Sequence, residues 1–259
     1  YGTPAGTYPW TPPVDSITPD KQKKAVIEIK DASDPVKVRD ESDGFDIEGK
    51  IVLNAPDTTG IVWTVGSKPN ILWTPTGNFT PVEIQYSTDG FTTSQPIATV
   101  TNSASGVQGS YEWTIPDDIT STARVRVRDD IDDDVNDVSS FDFKIVGSLS
   151  ITSPNSLDPK PIWYNGESKA ITWTGTGTIT NVKLEYKTAL AGDYTTIIAN
   201  YLIEGPKSYT WPSVADENSE NCYIKISDIN YPEVINESSY PFSIRPIILL
   251  TILSIFSAS

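Results

Sequence analysis

The sequence predicts an all-β chain of tandem immunoglobulin-like β-sandwiches in a rod-like array. Three observations carry that expectation. The chain matches itself at a shift of about 100 residues. Its apolar residues alternate with a period of two, as on a half-buried strand. No segment keeps a helical period for as many as about ten residues.

The repeat organises everything else. Trp63, Gly66, Ile71 and Trp73 match Trp163, Gly166, Ile171 and Trp173 without a gap. Val82, Ile84 and Tyr86 match Val182, Leu184 and Tyr186, and Tyr111-Glu-Trp113 matches Tyr209-Thr-Trp211. Val125-Arg-Val127-Arg-Asp129 matches Ile224-Lys-Ile226-Ser-Asp228, and Ser140 and Phe143 match Ser239 and Phe242. A partial third copy opens the chain. Gly6-Thr-Tyr8-Pro-Trp10, Ile27-Glu-Ile29-Lys-Asp31 and Ser42-Asp-Gly-Phe45-Asp-Ile47 fit its later elements, so all seven tryptophans sit in repeat register. The expected frame is 1–47 as the C-terminal half of a repeat, 48–146 and 147–246 as whole repeats, and 247–259 as a lone apolar strand.

Each copy reads as strands. Ala123, Val125 and Val127 alternate with Arg124, Arg126 and Arg128, and Ile27 and Ile29 with Glu28 and Lys30. Thr, Val, Ile, Tyr and Trp fill these runs, as pleated surfaces favour. Asp89-Gly90, Asn165-Gly166 and Pro116-Asp117 supply turns between them. Roughly seven short strands in about 100 residues is the count of an immunoglobulin-like sandwich.

The ordered set Trp63, Gly66, Ile71, Trp73, then Val82, Ile84, Tyr86, then Tyr111 and Trp113, then Val125, Val127, Asp129, then Phe143 and Ile145 resembles one family. It is the Ig-like repeat named after the N-terminal domain of yeast cell-wall β-glucan assembly proteins, which is similar to repeats in long prokaryotic surface proteins. The resemblance covers residues 1–246 and implies an exported, surface-associated module. It carries over no catalytic residue.

Composition excludes several chemistries. The chain has 34 acidic and 19 basic residues, a formal net charge of −15, no His and one Cys. Nucleic-acid backbones need clustered Lys and Arg, so no such partner is expected. Imidazole bases, His-ligated zinc and an internal disulfide are ruled out. Glycosidase chemistry needs two acids about 5–10 Å apart in a cleft, and no pair stands out from the repeat. The chain is read as a non-enzyme. The apolar stretch 246–259 falls short of the ~20 residues of a membrane-spanning helix.

The remaining candidates are few. Recurring aromatics point to core, with Trp63 and Trp163 the ones expected partly exposed, where a sugar would stack. Cys222 aligns with Ala123 and reads as a buried small residue. Asp130, Asp132 and Asp134 alternate, so an extended loop would aim them at one Ca²⁺, an ion that takes about six to eight oxygens. Calcium is the sole cofactor candidate. Asn78-Phe-Thr80 and Asn236-Glu-Ser238 are N-glycosylation sequons.

The ends carry the sharpest expectation. A half sandwich cannot bury its sheet faces and leaves strand edges unpaired. Ile247, Ile248, Leu249, Leu250, Ile252, Leu253 and Phe256 form an uncharged, β-prone segment. Strand addition joins the two: this segment enters a receiving surface of Ile27, Ile29, Val36, Val38, Phe45 and Ile47 on another copy. The expected protein is an extracellular or cell-surface structural repeat, a homo-oligomer or filament subunit. Three alternatives stay open: a window from a longer covalent repeat chain, a tail that is a hydrophobic C-terminal sorting or anchor remnant, and an adhesin or glycan-binding module with surface glycans as partners.

Overall fold

The computed structural model describes residues 6–13 and 24–247. Every regular element among them is a β-strand. Two strands come first, β1 (Glu28–Lys30) and β2 (Arg39–Glu41), paired antiparallel in a sheet of their own.

Nine strands follow: β3 (Lys50–Ala55), β4 (Val62–Thr64), β5 (Asn70–Thr76), β6 (Val82–Ser87), β7 (Gln95–Val100), β8 (Gly109–Glu112), β9 (Thr120–Asp129), β10 (Asn136–Val138) and β11 (Phe143–Val146). They make a three-stranded sheet of order β3-β5-β8 and a second sheet of order β4-β11-β9-β6-β7, with β10 beside β9. The next nine repeat the plan: β12 (Ser150–Ser153), β13 (Ile162–Tyr164), β14 (Lys169–Thr174), β15 (Asn181–Lys187), β16 (Thr195–Leu202), β17 (Ser208–Trp211), β18 (Ser219–Asp228), β19 (Ile235–Glu237) and β20 (Phe242–Arg245). Their sheets are β12-β14-β17 and β13-β20-β18-β15-β16, with β19 beside β18. β13 runs parallel to β20, while the other pairings of this copy are antiparallel.

The polypeptide divides into two compact units. One comprises Tyr1–Trp63, Ser67–Ile115 and Thr120–Ile145, the other Thr64–Gly66, Pro116–Ile119 and Val146–Ser259.

Period-two patterning builds each core. In β9, Ala123, Val125 and Val127 are buried while the alternating arginines stay at the surface. Facing them from the other sheet are Ile51 and Leu53 of β3 and Ile71 and Trp73 of β5, also buried. Burying each such side chain contributes roughly 1.5–3 kcal/mol before the cost of ordering it. The second copy buries Ile151, Ile171, Trp173, Val182, Leu184, Ile224 and Ile226 in the same places.

Aromatic packing repeats as well. Trp63 lies 4.6 Å from Phe143 and 5.9 Å from Trp113 between ring centroids, and Trp163 lies 4.7 Å from Phe242 and 6.3 Å from Trp211. Tyr86 and Trp113 stand 5.1 Å apart, Tyr186 and Trp211 5.0 Å. The expected partial exposure of Trp63 fits its half-buried state. For Trp163 the expectation fails: it is 6% exposed. Like Trp63 it packs on a Phe and a Trp of its sandwich, here Phe242 and Trp211, and its indole is buried with them.

The outward face of the larger sheet carries paired charges. Arg128 sits across from Glu83 and bonds it, and Arg126 bonds Gln85. In the second copy Lys183 and Lys225 each reach Glu185 at 2.6 Å. Burial opposes ionisation of Glu185, but the two ammonium groups outweigh it and hold its carboxyl below the usual range.

Candidate functional site

The first described strands reproduce, in isolation, one corner of a whole sandwich. In the first whole copy the β9–β10 hairpin closes through four bonds. The Asp129 amide donates to Val135 O at 2.8 Å, and the Val135 amide to Asp132 O at 3.1 Å. The Ser139 amide donates to Val125 O at 2.9 Å, and the Val125 amide returns a bond to Ser139 Oγ at 3.2 Å. In the β18–β19 hairpin the same roles fall to Asp228, Val234, Ile224 and Ser238, with Tyr231 O accepting from Val234. In the β1–β2 hairpin they fall to Asp31, Val38, Ile27 and Ser42, with Asp34 O accepting from Val38. Each hairpin also turns its Asp carboxylate onto the amide two residues on: Ser33 at 2.7 Å, Ile131 at 3.1 Å, Asn230 at 2.8 Å.

The neighbouring elements agree. Ala25 bridges Phe45 as Ala123 pairs with Phe143 and Cys222 with Phe242. Trp10 meets Phe45 edge-on at 6.4 Å and 80°, as Trp113 meets Phe143 at 6.4 Å and 87°. Residues 24–47 are therefore built as the last strands of a sandwich, and Trp10 takes the place of Trp113.

One correction follows. By sequence, Ser42 aligns with Ser140 and Ser239. By hydrogen bonding it corresponds to Ser139 and Ser238, because its hydroxyl takes the Ile27 amide as theirs take the amides of Val125 and Ile224. Both whole copies carry a double serine there, which concealed the shift.

With that register, a second position appears that sequence reasoning missed. Asp137 Oδ2 accepts the Leu53 amide of β3 at 2.7 Å, and Asn236 Oδ1 accepts the Ile151 amide of β12 at 2.8 Å. Each bond ties the first strand of a sandwich to its hairpin. The equivalent residue of the partial copy is Asp40, which pairs with Ile29 as Asp137 pairs with Val127 and Asn236 with Ile226. The signal was present as Asp40-Glu-Ser42, Asp137-Val-Ser139 and Asn236-Glu-Ser238. Only the last is a sequon, and its Asn side chain is half-buried and engaged. Asn78, the other sequon residue, is exposed between β5 and β6.

Of the expected receiving surface, Ile27, Ile29, Val36 and Val38 stand exposed, Ile29 at 73% and Val36 at 81%, while Phe45 and Ile47 are half-buried. Among the described residues no second sheet covers Ile27, Ile29 and Val38 as one covers Val125, Val127 and Val135; Val36 falls in the turn, at the place of the exposed Asp133. Of the expected assembly strand, Ile247 is exposed; Ile248, Leu249, Leu250, Ile252, Leu253 and Phe256 lie outside the described residues.

Asp130, Asp132 and Asp134 occupy the β9–β10 turn. The turn is tight rather than extended, and Asp132 Oδ1 accepts the Asp134 amide at 3.1 Å. Among the described residues no group of three or more acidic or Cys side chains is arranged to hold a metal ion. Burial, helped by Asp132 and Asp130, pushes the Asp129 carboxyl upward. No helix among the described residues is long and apolar enough to cross a membrane.

Strand order decides the fold. The chain is a tandem Ig-like repeat. No family model matches it, and no curated protein matches it. Among solved structures it is similar to the N-terminal four Ig domains of Dscam1 isoform 6.44, at 10% identity over 77% of this chain and 47% of that one, TM-score 0.37. It is also similar to the titin Ig tandem domains A164-A165, at 11% identity over 78% of this chain and 100% of that one, TM-score 0.30. The chain thus spans about half of the Dscam1 structure, and at these scores the fold assignment rests on the strand order above.

Proposed function

We propose that this protein is a structural, non-enzymatic repeat of the cell surface or extracellular space, a subunit of a filament, stalk or layer that assembles through end strands. The resemblance to the repeats of cell-wall assembly and prokaryotic surface proteins belongs to this proposal. One observation carries it. Residues 24–47 hold the hairpin of a sandwich bond for bond, yet leave Ile29 and Val38 in water, where Val127 and Val135 are buried. Such a face gains by burial and offers strand edges for pairing.

The apolar segment from Ile247 onward is the occupant this reading assigns, donated by a second copy. A head-to-tail contact of this kind is heterologous and propagates. Sugar stacking on these two tryptophans is the less favoured reading, because Trp163 packs inside its sandwich and half-buried Trp63 packs on Trp113 and Phe143.

Sedimentation velocity of the 259-residue chain at micromolar concentration tests the proposal. Species well above the 28.3 kDa chain are expected. Leu250→Asp with Leu253→Asp returns them to monomer, since an unpaired charge in the groove is costly. A wild-type monomer at every concentration overturns self-assembly.

A further inference from the structure

We propose that Asp40 is the docking acceptor for an incoming strand, and that it takes the backbone N–H of Leu250 from a second copy of this chain. The inference rests on the assembly reading above and adds the residue that sets its register.

Three observations place the acceptor. Asp137 and Asn236 hold the first strand of their own sandwiches through one backbone amide each, Leu53 and Ile151. Asp40 occupies the same position on the β1–β2 hairpin, opposite Ile29. It is also turned the same way. Its Oδ1 accepts the Glu41 amide at 3.0 Å, as Asp137 Oδ1 accepts the Val138 amide at 2.9 Å. That turn is what aims Oδ2 of Asp137 at Leu53. Among the described residues none donates to Oδ2 of Asp40, and no first strand lies against this hairpin.

The chain contains a matching donor. The spacing from Phe45 to Leu53 equals that from Phe143 to Ile151 and that from Phe242 to Leu250. Ile51 and Leu53, like Leu149 and Ile151, are the buried residues of those first strands. Ile248 and Leu250 stand in their register. An amide entering this site finds a preset carboxylate oxygen and, beside it, the apolar side chains of Ile27 and Ile29. Strand addition of this kind takes affinity from main-chain bonds and register from fixed acceptors.

The test compares full-length chains by sedimentation equilibrium across a concentration series. Asp40→Asn should assemble as wild type, because Asn236 performs the same task in the second whole copy. Asp40→Leu, of similar size without an acceptor, should weaken association at least about tenfold, the effect of losing one partner of a buried hydrogen bond. Asp43→Leu, on the same hairpin but off this position, should leave association unchanged. Far-UV circular dichroism confirms that the variants keep their sheets. A wild-type chain that never associates overturns the assembly reading and this inference with it. Association in wild type that Asp40→Leu leaves intact overturns the acceptor role alone. Equal loss in Asp40→Asn and Asp40→Leu also overturns it, since charge rather than acceptor geometry would then be at work.

Discussion

Asn236 Oδ1 accepts the Ile151 amide at 2.8 Å, across 85 residues of chain. Asp137 does the same for Leu53 at 2.7 Å, so a side-chain acceptor at this position is a structural part of the repeat. Both contacts are part-buried, and removing the acceptor strands an amide donor. Asn236→Leu and Asp137→Leu should each lower unfolding free energy by about 1–3 kcal/mol. Asn236→Asp and Asp137→Asn should stay within about 0.5 kcal/mol of wild type. Urea unfolding checks both pairs, and equal effects of the polar and apolar replacements would remove the acceptor role.

Trp163 closes one end of the second core against Phe242 and Trp211. Trp163→Ala should cost about 3–5 kcal/mol, the range for emptying a buried aromatic site. Thermal and urea unfolding measure it. A loss under about 1 kcal/mol would mean the indole is a surface group after all.

Glu220 sits beside Arg245 Nε at 3.0 Å and accepts from Ser243 Oγ at 2.7 Å. Those bonds, Arg245 foremost, hold its carboxyl down to about 2, against an ordinary 4.5. A depressed folded value stabilises above the unfolded value and loses that contribution as pH falls through the folded one. The contribution should be intact above pH 4.5 and disappear toward pH 2. Glu220→Gln should flatten the pH dependence of stability across that window only. An NMR titration showing Glu220 protonating near its ordinary value would contradict the contact.

Cys222 is fully buried where the first copy has Ala123, and burial pushes its thiol up. A thiol reagent should label it only as fast as the chain unfolds, and Cys222→Ala should cost about 1 kcal/mol. Rapid labelling of the native protein would show that the strand opens locally.

Much of this molecule is legible in its residues. Alternation in Ala123–Arg128 announces a strand with one face inside, and the recurrence of Trp73 and Trp173 announces the core they share. The match of Ile27–Asp31 to Val125–Asp129 foretells a hairpin, because these bonds form between residues close along the chain. Less of the candidate site is legible. The exposure of Ile29 goes with a hairpin that no other sheet covers among the described residues, whereas Asp40 attracts no notice as one acid among many. Its role becomes visible only when Asp137 and Asn236 are seen holding Leu53 and Ile151, partners 84 and 85 residues away. The one-residue shift of Ser42 and the inward turn of Trp163 have the same origin. Periodicity along one strand sets which face is apolar, and that much the sequence determined by itself. Which strand lies alongside, and which carboxylate therefore meets which amide, depends on long-range pairing, and tertiary structure alone decided it.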